Sequence, residues 1–485
     1  MPLKHFTVDF QELGKEKSFR YDVDFVNFQN EFLVDRYYSF NDLFVVSSKD
    51  KVDIETRDDD FLYAEIGNVS KDGDVEPVQL NFNERKKEEE NYYKKIEKGD
   101  IIQAQENDIL LSKVRPNLKK YVFIGGDTKN YFYTSAFIHL EPKKLNKILY
   151  YSFRTIFYDN LIAISRQGKG YPTLKEDDFY YLKFDKKIID KLSEKQDKIV
   201  AKIEPIEKKI KELKNQITPP QEVINKVFAR EFGFDENLYN EFGKGVTAGT
   251  QSAQNRRLRL FQTDFSEFSK SDILRFSTRY HNISTKKLME FLDSIKTLEI
   301  KDILLSTIHR GTSPKYNPDG EIPVVKTGHL KNGYIEISQE EFVDQDFYNS
   351  SKRSQIKSGD ILITSTGKVS LGKVDILEDD QDLVADGHVS IIRVDDREYN
   401  RLFFVYFFRS ILGYFQIERD FTGATNQIEL YADEISRFKI PDISLKDQQK
   451  IVNEIKMELD AQKEMNRKIE AERNKIDEIV EKAIA

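Results

Sequence analysis

The feature that most constrains this chain is an internal repeat at a fixed offset. "NDILLSKVRPNLKKYVFI" (107–124) aligns with "GDILITSTGKVSLGKVDIL" (359–377), placing Asp108-Ile-Leu-Leu-Ser on Asp360-Ile-Leu-Ile-Thr 252 residues later. "QDKIVAKI" (196–203) meets "QQKIVNEI" (448–455) at the same 252. Between these anchors, "SRQGKGYPTLKEDDFYYLKF" (165–184) parallels "DFTGATNQIELYADEISRFKI" (420–440), and upstream "YAEIGNVSKDG" (63–73) parallels "VVKTGHLKNG" (324–333). Whatever one half folds into, the other must also be able to fold into.

Each copy has two parts. The first mixes short β-rich runs ("YVFIGG", "DILIT", "HVSIIRV") and Gly, Asn and Asp turns with helical stretches such as "RLFFVYFFRSILGYF". That mixture predicts an α+β globular domain. The second part is helical. Ile199, Ile203, Ile206, Ile210, Leu213 and Ile217 form a heptad seam, broken at Pro219-Pro220, after which "QEVINKVFAREFGF" resumes. Ile451, Ile455, Leu459, Met465, Ile469 and Ile476 make a looser seam in the second copy. One seam cannot bury itself, so the two helices are expected to pair, an uninterrupted helix of ~32 residues being ~48 Å long. The fold class expected is therefore α+β, with two tandem globular domains joined by two long antiparallel coiled-coil helices in a pseudo-two-fold repeat. The boundaries are 1–185 and 258–441 for the globular domains, 186–234 and 442–485 for the helical regions, and 235–257 for the linker.

"GKVSLGKV" (367–374) lies one residue from a phosphate-binding loop, with Gly367, Gly372 and Lys373 in place but Val374 where a hydroxyl belongs. Such a loop needs a helix after it to meet the phosphate. Here "DILIT" precedes and "VDIL" follows, and the first copy has no matching glycines, so the segment reads as strand, turn, strand. Two readings of it stand: a hairpin using glycine for backbone geometry, or a basic hairpin touching a phosphodiester backbone. The second rests on Lys113, Arg115, Lys119 and Lys120 in one copy and Lys368 and Lys373 in the other.

Composition removes several classes. There is no cysteine, so disulfides, thiolate metal sites and cysteine nucleophiles are excluded. The six histidines lack metal-ligand spacing, no apolar run reaches a membrane span, and no catalytic motif emerges. The acidic runs Asp58–Asp60 and Glu378–Asp380 read as solvated loops. The net charge of −8 does not argue against nucleic acid, because 76 Lys and Arg can form a local basic surface. A noncatalytic cytoplasmic protein is the expectation.

"GDILITSTG", "ATNQIELYADEISRFKIPDISLKDQQKIVNEI" and "VINKVFAREFGF", in this order and repeated, resemble the specificity subunit of type I restriction-modification systems over almost the whole chain. The resemblance implies two target-recognition domains, each reading half of a bipartite double-stranded DNA site. Paired helices would set the gap and dock two methyltransferase subunits, with restriction/translocase subunits added. Cofactors are then none on this chain, S-adenosylmethionine and ATP being carried by partners. The loop "TGATNQ" resembles the family's DNA-approaching loop and makes Thr422, Thr425, Asn426 and Gln427 candidates, with Arg166, Gln167, Lys169 and Tyr171 opposite them in the first copy. Asn and Gln suit adenine, and Arg or Lys guanine. His329 and Asn68, at matched turns, complete the set. Two rivals remain: a DNA-binding relative working outside such a complex, and a coiled-coil scaffold with no nucleic-acid affinity.

Overall fold

The computed structural model describes residues 36–47, 60–83, 90–167, 171–234, 263–269, 275–277, 280–281, 283–337, 340–367, 370–424 and 427–484. The expected linker at 235–257 lies outside them. The chain divides into two compact units, Met1–Asn215 with Lys468–Ala485, and Gln216–Arg467. The helical regions are thus not bodies of their own, because each globular part takes the helix segments beside it into its unit.

In unit 1, Phe44–Val46, Phe137–Pro142, Ile109–Ser112 and Tyr121–Phe123 form an antiparallel sheet in that order. A second sheet runs Val78–Leu80, Phe61–Ala64, Phe132–Tyr133, Ile102–Gln103, its middle pair parallel. Tyr37–Ser39 pairs with Lys183–Asp185, and Arg166–Gln167 with Pro172–Thr173. Unit 2 repeats every one of these pairings. Its antiparallel sheet is His309–Arg310, Val389–Ile392, Ile361–Thr364, Val374–Ile376. Its mixed sheet is Phe342–Val343, Ile322–Val325, Leu383–Ala385, Gln355–Ile356, again with a parallel middle pair. Thr297–Glu299 pairs with Lys439–Pro441, and Thr422–Ala424 with Gln427–Glu429. The two sheets of each unit are α+β elements on a shared plan, and the central strands Ile109–Ser112 and Ile361–Thr364 are buried at every residue, as their unbroken apolar runs require.

Helices α1 (Asn146–Arg154) and α2 (Gln196–Lys214) belong to unit 1, and α3 (Pro220–Phe232) and α4 (Arg401–Arg409) to unit 2. Helix α5 (Leu445–Ile484) has its residues up to Arg467 in unit 2 and the rest in unit 1. At 40 residues it is longer than the sequence suggested, about 60 Å at 1.5 Å per residue. The proline break is real: α2 ends at Lys214 and α3 starts at Pro220, the first-turn position where a missing N–H costs nothing. Gly233 (φ 66°) closes α3 in the left-handed conformation glycine adopts freely. Pro205, which the heptad reading passed over, sits inside α2 on its exposed side without ending it.

Within unit 1, α2 and the end of α5 run antiparallel. Lys195 Nζ donates to the Ala483 carbonyl (2.8 Å) and Lys209 pairs with Glu472 (2.6 Å). Within unit 2, the Thr218 N–H donates to Gln462 (2.9 Å) and Arg230 pairs with Glu454. Ile199, Ile203 and Ile210 are buried, as are Ile451, Ile455, Ile469 and Ile476, whereas Ile206, Leu213, Ile217, Leu459 and Met465 are half-buried. In unit 2 the aromatic helix α4, capped by Asn400 accepting from Leu402 and Phe403, joins α3 and the start of α5 in one core: Phe228, Phe403, Phe407, Ile451 and Ile455.

Candidate nucleic-acid interface

The near-phosphate-loop is a hairpin turn. Ile361–Thr364 runs antiparallel to Val374–Ile376, with Ile363 opposite Val374, and no helix follows. Its two glycines serve the backbone. Gly367 (φ 88°) and Gly372 (φ 78°) hold left-handed conformations, and a Cβ on Gly372 would lie 3.2 Å from the Ile417 side chain. The first copy bends at the same places with Arg115 (φ 51°) and Lys119 (φ 52°), Arg115 standing 252 residues before Gly367. Non-glycine residues seldom occupy this region. A 3₁₀ turn, Pro116–Leu118, and the Tyr121 hydroxyl donating to the Pro116 carbonyl (2.7 Å) hold them there.

In each unit this turn is joined to the hairpin that carries the other candidates. Val114 bridges Thr173, the Arg115 N–H donates to Pro172 (2.9 Å) and the Leu174 N–H to Lys113 (2.8 Å). In unit 2, Thr366 bridges Glu429, the Gly367 N–H donates to Ile428 (3.3 Å) and the Leu430 N–H to Ser365 (2.9 Å). Two segments some 60 residues apart in sequence therefore make one surface, twice. The basic-hairpin and loop candidates, named from separate arguments, are neighbours.

Their side chains differ in what they can offer. Lys113 is paired with Glu176 (2.8 Å) and donates to the Ser135 carbonyl, so its charge is balanced. Lys119 donates to the Arg154 carbonyl (2.8 Å) and lies 4.1 Å over the Tyr158 ring, and Lys120 donates to the Ile66 carbonyl (3.1 Å). A carbonyl does not cancel a charge, so both remain cations for a phosphate. Arg115 is exposed, its guanidinium 5.1 Å over the ring of Tyr171, itself 42% exposed. Lys373 is half-buried, and burial with the neighbouring Lys331 lowers its pKa.

Arg166 is a different matter. Its Nε lies 2.9 and 3.0 Å from the two oxygens of Asp178 and its Nη2 2.7 Å from one of them, while Asp178 is fully buried and accepts the Lys175 N–H (2.8 Å). The hydrogen bonds raise the arginine's pKa further. Its expected place as a base reader is corrected: the fork that would meet guanine is occupied by a buried carboxylate. His329 sits within a turn. Its Nδ1 accepts the Lys326 N–H (3.1 Å), as Asn68 Oδ1 accepts the Glu65 N–H (2.9 Å), so both cap matched turns from within. The Thr422 hydroxyl donates at 3.4 Å to the Glu429 carbonyl across its hairpin. Gln167 and Gln427 stand on the hairpin strands; Lys169, Lys368, Thr425 and Asn426 lie outside the described residues.

Arg310 belongs to none of the motifs read above. Its Nη2 donates to the Leu430 carbonyl (2.8 Å), Nη1 lies 3.6 Å from Glu429, and the guanidinium sits 5.1 Å over Tyr431, mirroring Arg115 over Tyr171. Among the described residues no cluster of His, Asp and Glu could hold a metal ion, and no helix is long and apolar enough to cross a membrane.

A family model described as "Type I restriction modification DNA specificity domain" matches residues 293–475. The specificity subunit of the type I restriction enzyme HindI of Haemophilus influenzae is 32% identical over 137 residues, 27% of this chain and 28% of that protein. The aligned part is thus well under a third of that relative's length. Among solved structures, one titled for complex assembly and conformational transition of the type I R-M system is 13% identical, covering 93% of this chain and 97% of that one, with a TM-score of 0.41. The HsdS subunit from Thermoanaerobacter tengcongensis is 14% identical, covering 93% and 96%, with a TM-score of 0.32. The S subunit from M. genitalium is 14% identical, covering 94% and 98%, with a TM-score of 0.38. Residues 293–475 thus match a type I DNA specificity domain, and part of the chain is similar to a specificity subunit.

Proposed function

We propose that the chain is the sequence-recognition subunit of a type I restriction-modification complex, each unit reading one half of a split double-stranded DNA site. The observation that carries this is the match of residues 293–475 to a DNA specificity domain whose strand pairings unit 1 reproduces. The surface made by the basic turn and the hairpin is the DNA-facing part. Lys119 and Lys120 meet phosphates, and the exposed Tyr171 beside Arg115 approaches base edges. Helix α5, pairing antiparallel with α2 and α3, is the spacer that fixes the gap between half-sites, and its outer face docks two methyltransferase subunits. The chain itself catalyses nothing: S-adenosylmethionine is bound by the methyltransferase subunits and ATP by the restriction/translocase subunits.

Co-expression with a methyltransferase subunit from the neighbouring genes, followed by genome-wide mapping of methylated adenine, tests this. A split motif with a constant gap is the expected result. A stable complex that never methylates, or that methylates a continuous motif, refutes the reading.

A further inference from the structure

Helices α1 and α4 both end in an arginine, at equivalent places in the two units, and the two arginines are treated differently. In unit 1 the Arg154 guanidinium is consumed by the backbone: Nη1 donates to Lys119 (3.0 Å) and Nη2 to Lys71. In unit 2 Arg409 is only 5% exposed, yet its Nε has no hydrogen-bond partner, and among the described residues its guanidinium makes no ion pair within 4 Å. A buried guanidinium left this way is costly unless something else satisfies it.

The countercharge that acts on Arg409 is Asp375, which makes no ion pair with it within 4 Å and is held by a turn. Its carboxylate accepts the N–H groups of Lys331 (2.9 Å), Asn332 (2.9 Å) and Gly333 (2.5 Å), which fold the 331–333 turn over it. Arg409 instead lines a cleft of about 440 Å³ between that turn, α4 and α5. Opposite it on α5 stands Lys456, exposed and without an ion pair among the described residues, whereas Lys463 is paired with Asp460 (3.3 Å). Arg409, almost buried, and Lys456, exposed, line this open cleft together with Asp375, Glu378, Asp379 and Asp460. The carboxylates disfavour a polyanion such as a nucleic-acid backbone, while a small anion can enter and reach Arg409.

We propose that this cleft binds a small free oxyanion, a carboxylate or a phosphate, on Arg409 with Lys456 as the second contact. The cleft lies in unit 2, and the unit 1 arginine differs from Arg409 in that its guanidinium donates to the Lys119 and Lys71 carbonyls. It is independent of which DNA sequence the chain reads.

Calorimetric titration of the full chain with inorganic phosphate, and separately with acetate, at constant ionic strength tests it. Wild type should show saturable 1:1 binding of at least one of the two, and the stronger names the class. Arg409→Met removes the deep cation. Gly333→Leu fills the mouth from a residue whose Cβ would lie 3.9 Å from Arg409 Nη2, at a backbone conformation any residue adopts. Each should weaken binding by about ten-fold or more, as loss of a charged hydrogen bond does. Arg154→Lys should bind as wild type. No saturable binding in wild type, or unchanged binding in Gly333→Leu, overturns the proposal. Should Arg409→Met fail to fold, Gly333→Leu alone decides.

Discussion

Replacing Arg166 separates a structural arginine from a DNA-reading one. Arg166→Ala removes three hydrogen bonds of 2.7–3.0 Å, and the ion pair they belong to, from the fully buried carboxylate of Asp178. Breaking a buried pair from one side costs about 3–5 kcal/mol. The arginine side chain is 25% exposed, so water can partly replace it and about 3 kcal/mol is the reasonable figure. In a unit of this size each kcal/mol shifts the melting temperature by about 2–4 °C, so unit 1 should melt about 6–12 °C lower. Differential scanning calorimetry of the full chain reads this directly. Asp178→Asn added to Arg166→Ala should recover part of the loss, because no charge is then stranded. A variant that melts within about 2 °C of wild type but loses DNA affinity in the assembled complex would show the assignment to be wrong, since a spent ion pair cannot be removed without a thermal cost.

Other outcomes follow from the same geometry. Burial raises the Asp375 pKa to about 6, above its ordinary 3.8, so its ionisation is disfavoured in the folded state. Its contribution is most favourable below the unfolded value and is lost as pH rises through 6. Unit 2 should therefore lose about 2 kcal/mol between pH 4 and 7, a slope that Asp375→Asn flattens in pH-dependent denaturant melts. Lys119→Ala and Lys120→Ala should each lower the slope of log affinity for DNA against log salt by about 0.9, whereas Lys113→Ala, already balanced by Glu176, should change it little. Ile203→Ala and Ile455→Ala, both buried in the helix seams, should cost about 2–5 kcal/mol each by urea titration, and Ile206→Ala, half-buried, clearly less. Gly372→Val should destabilise unit 2, because it adds a β-branched side chain at φ 78° against Ile417.

What could be read from the sequence was what local chemistry decides. The heptad spacing located the seams, since a residue's turn of the helix decides whether it faces a partner: Ile199, Ile203 and Ile210 are buried where the period places them. The strand–turn–strand reading of 361–376 held because an antiparallel pair needs only a turn between two apolar runs. Where tertiary context outweighs local preference, the sequence was silent or misleading. Pro205 does not end α2, and Arg115 and Lys119 bend a turn that glycines bend in the other copy. Arg310 reaches a hairpin 120 residues away in sequence, a contact that no window of residues contains.

The buried acids of the two copies show why the repeat transmits a fold more faithfully than a site. Asp178 and Glu434 occupy the same role: each accepts the N–H three residues before it, from Lys175 (2.8 Å) and Tyr431 (2.8 Å), and each is buried against an arginine. The cap is local, so it survives in any copy that keeps an acid at that spacing. The arginine is not local. Unit 1 draws it from the hairpin itself, at Arg166, while unit 2 draws it from Arg275, 159 residues upstream of Glu434. The hairpin of unit 2 is thereby released from supplying the counter-ion, and the position that Arg166 fills is free to carry another side chain. Aligned positions of the two hairpins can thus be structural in one copy and free of that role in the other. Melting the single variants Arg275→Ala and Arg166→Ala side by side checks it: each should lower the transition of its own unit only, and a loss in the opposite unit would break the equivalence.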